Sequence, residues 1–261
     1  MTKEYVFGVI GAGNGGKAMA GYLALLGKRV MLYNRTFSHV EVIAERQGID
    51  LINPGGLEGF GKLEMVTDNI GDLLAEAQVI MVVTPSSAHR DIAKAATPYL
   101  RDDHTVILNP GRTGGALEFT ETLRQNGCTT CPIISEAETF IFASRSEGPN
   151  LARIFRIKES VPLAALPANR TKEALNAIHT AFPQYINGGN VLMTGLNNMG
   201  AVFHPALAML NAGWIEATHG NFEFYVDGVT PSVAKVLEVI DRERVTVASA
   251  IGIRARTGME W

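Results

Sequence analysis

The first residues with the types and spacing to do chemistry are the glycines of the run Gly11-Ala12-Gly13-Asn14-Gly15-Gly16. The spacing G-x-G-x-x-G is typical of a turn that binds the pyrophosphate of a dinucleotide. Its first glycine permits the tight bend, its second lets the backbone approach the phosphate, and its third lets helix and strand pack closely. Free amides at the start of the next helix attract phosphate charge, so Gly11, Gly13, Asn14, Gly15 and Gly16 are the predicted pyrophosphate-binding residues. The alternative is a glycine-rich turn in an unrelated α/β fold.

A second polar set, Asn34, Arg35 and Thr36, follows the strand predicted over residues 29–33. An NAD site usually carries Asp or Glu here, which binds the ribose 2′-hydroxyl. Asn34 is neutral, Arg35 can pair bidentately with a 2′-phosphate, and Thr36 can donate a hydrogen bond. We therefore expect NADP(H) as the preferred cofactor and leave NAD(H) open. The alternative is that Arg35 only stacks on adenine or lies in solvent.

Two further strand ends carry candidate residues. Thr84 and Pro85 end the continuous apolar run over 78–84, and we expect them to border the cofactor through backbone atoms. Arg112 lies in a glycine-rich loop after the apolar run over 105–109, where it could clamp a carboxylate. A pairing of Arg112 with a surface acid is the alternative. Strand ends are where an open α/β sheet binds its ligands.

The elements that must position these residues alternate between strand and helix. A strand over 5–10, a helix over 17–26 and the strand over 29–33 form one β-α-β unit around the glycine turn. More strands and helices follow, and the glycines at 55, 56, 59 and 61 indicate a surface hairpin or loop. The strands and helices predicted up to residue 182 are strands over 78–84, 105–109, 132–135, 154–158 and 161–166 and helices over 86–96, 116–125 and 171–182.

Beyond residue 185 the pattern is mainly helical, with helices predicted over 202–214 and 231–251. The second has Thr230 as N-cap and Pro231 at the first helical position. We therefore predict an α/β protein with an N-terminal Rossmann-type, doubly wound parallel sheet over 1–185. A mainly α-helical substrate and catalytic domain over 186–261 follows.

Composition excludes several classes. The 261 residues carry 23 Lys and Arg against 26 Asp and Glu, a net charge of −3, which argues against a nucleic-acid partner. No run of about 18 apolar residues is present, so we expect no membrane partner. The N-terminus lacks the pattern of a cleavable signal, and the chain has only two Cys residues. We therefore expect a cytoplasmic protein.

Metal chemistry is not expected. The only Cys-x-x-Cys motif, Cys128 to Cys131, has no second Cys pair and no neighbouring His in the sequence, which argues against zinc or redox function. The histidines at 39, 89, 104, 179 and 219 show no metal-ligand spacing with carboxylates, and we interpret them as surface or cap residues.

Longer segments carry a family resemblance over nearly the whole chain, in order. The segments GAGNGGKAMA, LNPGRTGGALEF, SEAETFIFASR, NNMGAVFHPALAMLNAG and FYVDGVTPSVAKVLEVIDRERVTVASAIG resemble the opine dehydrogenases of the octopine/nopaline dehydrogenase type. The resemblance implies a Rossmann domain, a helical domain and an active site between them. It also implies NAD(P)H-dependent reductive condensation of a 2-oxo acid with the amine of an amino acid, in which an imine receives the hydride.

The resemblance also implies a catalytic histidine, which matches His204 in its Phe-His-Pro context. Imine reduction needs a group that manages protons, and a His has a pKa close to working pH. Pro205 suggests that a helix begins or kinks here, and a helix start would favour a nearby substrate carboxylate. Asn198 could bond a carboxylate or the nicotinamide amide, and Arg112 could hold a carboxylate. A structural role inside the helical domain is the alternative for His204, and a turn or cap role for Asn197 and Asn198.

The chain departs from the family in length, because these dehydrogenases continue beyond the match to ASAIG and take from there the Asp that partners the catalytic His. The chain is then either truncated or a shortened relative. Glu223, Asp227 and Asp241 are the candidate acidic partners of His204, and the sequence does not select one of them. Less core would leave an apolar stripe exposed, so we expect a homodimer. Two other functions remain open: a ketopantoate-reductase-like enzyme acting on a 2-oxo acid, and a dinucleotide-binding module without catalysis.

Overall fold

The computed structural model describes residues 4–260. In that range the strands are β1 (Val6–Ile10), β2 (Arg29–Tyr33), β3 (Gly48–Ile52), β4 (Gly59–Lys62), β5 (Met65–Thr67), β6 (Val79–Val82), β7 (Thr105–Leu108), β8 (Ile133–Ala137), β9 (Phe142–Ser146), β10 (Leu151–Ile157), β11 (Val161–Leu166) and β12 (Tyr185–Asn187). The α-helices are α1 (Asn14–Leu25), α2 (Glu41–Arg46), α3 (Ile70–Glu76), α4 (His89–Ala96), α5 (Gly115–Gln125), α6 (Thr171–Ile178), α7 (Val191–Leu196), α8 (Gly200–Leu210), α9 (Ala212–Thr218) and α10 (Pro231–Ala250).

The main sheet has eight strands in the order β12-β11-β8-β7-β6-β1-β2-β5. Its strands pair in parallel, apart from the antiparallel pair β8 and β11. The chain runs from β1 outward to β2 on one side and returns to β6 on the other, so the strand order reverses beside β1. Such a reversal opens a crevice at the carboxyl ends of the strands, where ligands bind. The predicted Rossmann-type sheet is confirmed.

Both faces of this sheet are buried, as the continuous apolar strands predict. Successive residues of β1 point to opposite faces, so Phe7 and Val9 join one hydrophobic cluster while Val6 and Ile10 join the other. Phe7 and Val9 are fully buried. The sheet therefore has a hydrophobic core on each side.

A second sheet of four strands, in the order β4-β3-β10-β9, lies against α1. β3 and β4 form the antiparallel hairpin that the glycines at 55–61 predict. The helix approaches this sheet closely, since a Cβ on Gly61 would lie 2.6 Å from the Gly21 carbonyl oxygen. The pattern of the sequence did not indicate this second sheet as a unit, because β3 and β10 are far apart in the chain.

The helices after Thr194 pack around a small core of Met199, Val202, Leu207, Val233 and Leu237. The helix predicted over 202–214 is wrong as a single element: α8 begins earlier and ends at Leu210, and α9 starts at Ala212. The break falls at buried Asn211, whose Nδ2 donates to the carbonyls of Leu207 and Gly228, both at 3.0 Å. As predicted, α10 begins at Pro231 with Thr230 as N-cap, whose hydroxyl accepts from the Val233 amide.

The chain separates into two compact units, residues 1–194 and 195–261. The domain boundary predicted at residue 185 coincides with the first residue of β12. That strand pairs with β11 at the edge of the main sheet, so it belongs to the first unit. Among the described residues, no helix combines the length and the apolar character needed to cross a membrane.

Candidate functional site

The glycine turn at the end of β1 has a geometry that only glycine tolerates at two positions. Gly11 has a φ of +104°, and a Cβ there would lie 2.6 Å from the Val83 carbonyl oxygen. A Cβ on Gly16 would lie 1.8 Å from the carbonyl oxygen of Gly11. Gly13 differs, since a Cβ there meets nothing within 4 Å. Gly11 and Gly16 are therefore needed by the fold, whereas the space beside Gly13 is open to a ligand.

The start of α1 has amides available for an anion. Gly13 is the N-cap residue and makes no side-chain cap, so the first amides of the helix are not satisfied by such a cap. The Asn14 side chain has another role, because its Oδ1 accepts from the Ser146 amide at 2.8 Å and so ties α1 to β9. Gly15 packs under the ring of Phe140, which a Cβ would approach to 2.9 Å.

The predicted residues after β2 and β6 come together in one cavity of about 260 Å³. Asn34, Arg35 and Thr36, which follow β2, line it together with Thr84 and Pro85, which follow β6. The cavity also reaches Gly11, which links it to the glycine turn. Residues from three strand ends therefore share one surface at the carboxyl edge of the sheet.

Within this cavity the polar side chains differ in their hydrogen bonds and in their exposure to solvent. Asn34 accepts from the Ala12 amide at 3.2 Å and donates to the Thr36 carbonyl at 2.8 Å, so it stabilises the turn itself. The Arg35 side chain is 81% exposed and reaches solvent. The Thr84 hydroxyl is buried without a hydrogen-bond partner among the described residues. These features fit a dinucleotide: an open glycine turn, a free helix start, an exposed guanidinium and an unsatisfied hydroxyl.

Arg112 lies in the loop between β7 and α5, half-buried and with a φ of +61° that non-glycine residues seldom adopt. The structure adds a second cation that the sequence did not reveal, Lys158, whose Nζ donates to the Thr139 hydroxyl at 2.7 Å. Burial lowers the pKa of Lys158, nearby Arg112 lowers it further, and the charge of Glu138 opposes both. Two cations, Arg112 and Lys158, therefore interact electrostatically here, with the Glu138 carboxyl as a counter-charge to Lys158.

Behind that loop lies Glu136, a fully buried carboxyl on β8. One oxygen accepts from the Ala116 amide at 2.8 Å and the other from the Thr194 hydroxyl at 2.7 Å. Burial raises the pKa of Glu136 to about 7, and the two hydrogen bonds moderate that rise. The carboxyl connects the start of α5 to α7, so it holds the loop that carries Arg112.

The interpretation of the remaining histidines as surface or cap residues is wrong for two of them. His89 and His104 are fully buried. Neither ring nitrogen of His89 has a hydrogen-bond partner among the described residues, and burial lowers its pKa. The Nδ1 of His104 accepts from the Arg101 amide at 3.0 Å. The His89 ring packs where α4 meets α5, and the Nε2 of His104 lies 3.1 Å from the Leu74 carbonyl oxygen of α3. Residue spacing in the sequence does not indicate these contacts.

In the second unit, His204 is the fifth residue of α8. Of the two alternatives that Pro205 suggests, a helix start or a kink, the helix start is wrong. The helix begins at Gly200, and Pro205 lies inside it. The His204 and Tyr225 rings have centroids 6.0 Å apart. Asn198 is 3% exposed, and its Nδ2 has no hydrogen-bond partner among the described residues.

Two of the acids considered as partners of His204, Asp241 and Asp227, have other contacts. Asp241 pairs with Arg244 at 2.6 Å and accepts from the Gly258 amide at 2.7 Å. Asp227 accepts from the Glu223 amide at 2.9 Å. In the described part of the chain no group of three His, Cys, Asp or Glu side chains could hold a metal ion, and Cys128 and Cys131 are free thiols.

Comparisons with known proteins agree with this arrangement. The family model for the α-helical domain of NAD/NADP octopine/nopaline dehydrogenase matches residues 187–261, and that for the N-terminus of NAD-dependent glycerol-3-phosphate dehydrogenase matches residues 7–116. The opine dehydrogenase of Arthrobacter sp. (strain 1C) is 38% identical over 261 residues, which is 100% of this chain and 72% of that protein.

Two solved structures share the fold at low identity. Octopine dehydrogenase in complex with NADH and agmatine superposes with a TM-score of 0.75 at 18% identity, over 95% of this chain and 64% of that one. Apo yersinopine dehydrogenase gives a TM-score of 0.80 at 16% identity, over 97% of this chain and 65% of that one. The chain therefore spans slightly less than two thirds of these two structures.

Proposed function

The chain belongs to the opine dehydrogenase family, and we propose on that basis that it catalyses the NAD(P)H-dependent reductive condensation of a 2-oxo acid with the amine of an amino acid. The observation that carries the proposal is the 38% identity to an opine dehydrogenase along the whole chain. The strand-end cavity supports it independently, because residues from β1, β2 and β6 form one surface suited to a dinucleotide.

The first unit would hold the cofactor. The amides of Gly13, Asn14 and Gly15, at the start of α1, would bind the pyrophosphate, with Gly11 and Gly16 shaping the turn. When bound, the nicotinamide supplies the hydride. Thr84 and Pro85 would border the dinucleotide, and the unsatisfied Thr84 hydroxyl offers it a hydrogen bond.

Arg35 supports a preference for NADP(H) over NAD(H). Its guanidinium is exposed at the cavity, and the residue directly after β2, at the usual carboxylate position, is neutral Asn34. A 2′-phosphate offers Arg35 a bidentate partner that a hydroxyl does not. Thr36 lines the same cavity and would add a hydrogen bond.

Three residues would act on the substrates. Arg112, with Lys158 nearby, would bind the carboxylate of the oxo acid. His204 would deliver and remove protons as the imine forms and is reduced. Asn198 has a buried amide without a partner, which would bond a substrate carboxylate or the nicotinamide amide.

The second unit supports self-association. Three apolar side chains of α10, Val236, Val239 and Val247, are exposed on one stripe, and the exposed Ile251 follows directly after the helix. We propose that a second copy of the chain covers this stripe, which gives a homodimer.

The test follows NADPH consumption with pyruvate alone, with an amino-acid mixture alone, and with both. A rate that needs both substrates would support condensation, whereas a rate with pyruvate alone would indicate a plain 2-oxo acid reductase. Cofactor binding without consumption in any arm would indicate a non-catalytic module. His204→Asn should lower turnover by about 100-fold or more with cofactor affinity unchanged, and His219→Asn is the control. An undiminished rate would remove His204 from the mechanism.

A further inference from the structure

The cavity after β2 has apolar walls and a charged rim. Pro85, Ala88, Ile92 and Ala95 supply flat or small apolar surface along the α4 side, which suits a nucleobase. At the rim, Arg35 on the β2 side lies opposite Asp91 on α4. A dinucleotide whose adenosine end enters here meets a cation and an anion together.

The Arg35–Asp91 pair is weak and easily opened. The shortest distance between guanidinium nitrogen and carboxylate oxygen is 3.9 Å, and the side chains are 81% and 66% exposed. Solvent screens such a pair, so Arg35 can turn to another anion at little cost. Asp91 is the third residue of α4, where the helix dipole favours an acidic side chain.

NAD(H) and NADP(H) differ only at the 2′ position of the adenosine ribose, which carries a hydroxyl in NAD(H) and a phosphate in NADP(H). A 2′-phosphate that binds Arg35 enters the Coulomb range of the Asp91 carboxylate, which repels it. A 2′-hydroxyl carries no charge and can donate a hydrogen bond to the same carboxylate. The two rim residues therefore act in opposite directions on the same choice.

We infer that Asp91 is a specificity-determining residue that weakens the binding of NADP(H) relative to NAD(H) and so limits the preference that Arg35 creates. The inference rests on the proposed function, since it requires the adenosine end of a dinucleotide in this cavity. It assigns the cofactor preference of the chain to a balance between Arg35 and Asp91, not to Arg35 alone.

Asp91→Asn removes the charge and keeps the shape, and the readout is the dissociation constant of each reduced cofactor, measured by fluorescence titration at low ionic strength. NADPH should bind about 3- to 10-fold more tightly to the variant, and NADH should change by less than about 2-fold. Glu173→Gln is the matched control. Glu173 is also an exposed acid at the third position of an eight-residue helix and pairs with Arg170 at 3.3 Å, but it does not line the cavity.

Salt provides a second readout, because repulsion between exposed charges is screened while a change in packing is not. The gain for NADPH should shrink as ionic strength rises from about 0.02 to 0.5 M. Equal effects on both cofactors would show that Asp91 contacts adenosine itself, and no effect on NADPH would place it out of range; either result overturns the inference. If neither NADPH nor NADH bound to the wild-type protein or to Glu173→Gln, that result would instead count against the proposed function.

Discussion

The two compact units differ in how completely each buries its apolar residues. The main sheet of the first unit has a hydrophobic cluster on each face, whereas the helices of the second share one cluster of five buried residues. The second unit also exposes large apolar side chains, including Met209, Trp214 and Val247. The difference suggests that the first unit presents its cofactor surface without help, while the second needs a further surface to cover its helices.

Two glycines of the turn at the end of β1 give the sharpest test of the first unit. Gly16→Ala should reduce stability as well as cofactor binding, because its Cβ would lie 1.8 Å from the Gly11 carbonyl oxygen. Gly13→Ala should keep the folded state and still weaken NADPH binding by about 100-fold or more, since the methyl group fills space left for phosphate. Thermal melting and fluorescence titration measure the two effects.

A Gly13→Ala variant with wild-type NADPH affinity would show that the open space beside Gly13 does not receive the pyrophosphate. Gly27→Ala is a control for the loss of a glycine as such: a Cβ there has nothing within 4 Å, but the φ of +76° adds strain away from the cofactor surface. It should lower the melting temperature slightly and leave NADPH binding intact.

Sequence reasoning succeeded where the signal is local. The turn from Gly11 to Gly16 and the strands on either side of it lie within one short stretch, so spacing and apolar runs were enough to place them. The same holds for Thr230 and Pro231, whose cap and first-turn roles depend on neighbours within one helical turn. These features need no knowledge of distant parts of the chain.

Sequence reasoning failed where the partners are distant in the chain. Glu136 meets Thr194 across 58 residues, and Lys158 meets Thr139 across 19. His89 is buried because α4 and α5 pack together where Gly115 lacks a side chain, with a Cβ there 3.3 Å from the ring. Asn34 was expected only to face the cofactor, but it also holds the glycine turn through the Ala12 amide. No local pattern encodes such contacts.

Glu136 should make the stability of the first unit depend on pH. Its pKa is raised from 4.5 to about 7 in the folded protein, so the folded state binds more protons than the unfolded state between those values. The contribution of Glu136 to the free energy of unfolding is therefore fully present below about pH 4.5, and it is lost as the pH rises through about 7. The loss in unfolding free energy is about 3 kcal/mol by linkage.

Glu136→Gln should abolish this dependence, because a neutral amide can accept from Ala116 and donate to the Thr194 hydroxyl, which already lies 3.2 Å from the Val191 carbonyl. Urea unfolding followed by far-ultraviolet circular dichroism measures the difference between variant and wild type across pH. Both tryptophans of the sequence come after residue 194, and Trp214 lies in α9 of the second unit. Tryptophan fluorescence should therefore report a transition without this dependence, and parallel pH profiles for both proteins would contradict the assignment.

The smallest expected effect concerns the exposed stripe of α10. It tests whether the exposed apolar residues of the second unit are covered by another copy of the chain. If a second copy covers the stripe, light scattering at micromolar concentration should give the mass of two chains, and Val247→Glu should shift it toward one. NADPH affinity should not change, because the cofactor surface belongs to the first unit. Glu238→Lys, a charge change at an exposed position on another face of α10, is the control. A wild-type monomer would show that the exposed apolar residues of the second unit do not mediate self-association, and that the contrast between the two units has another origin.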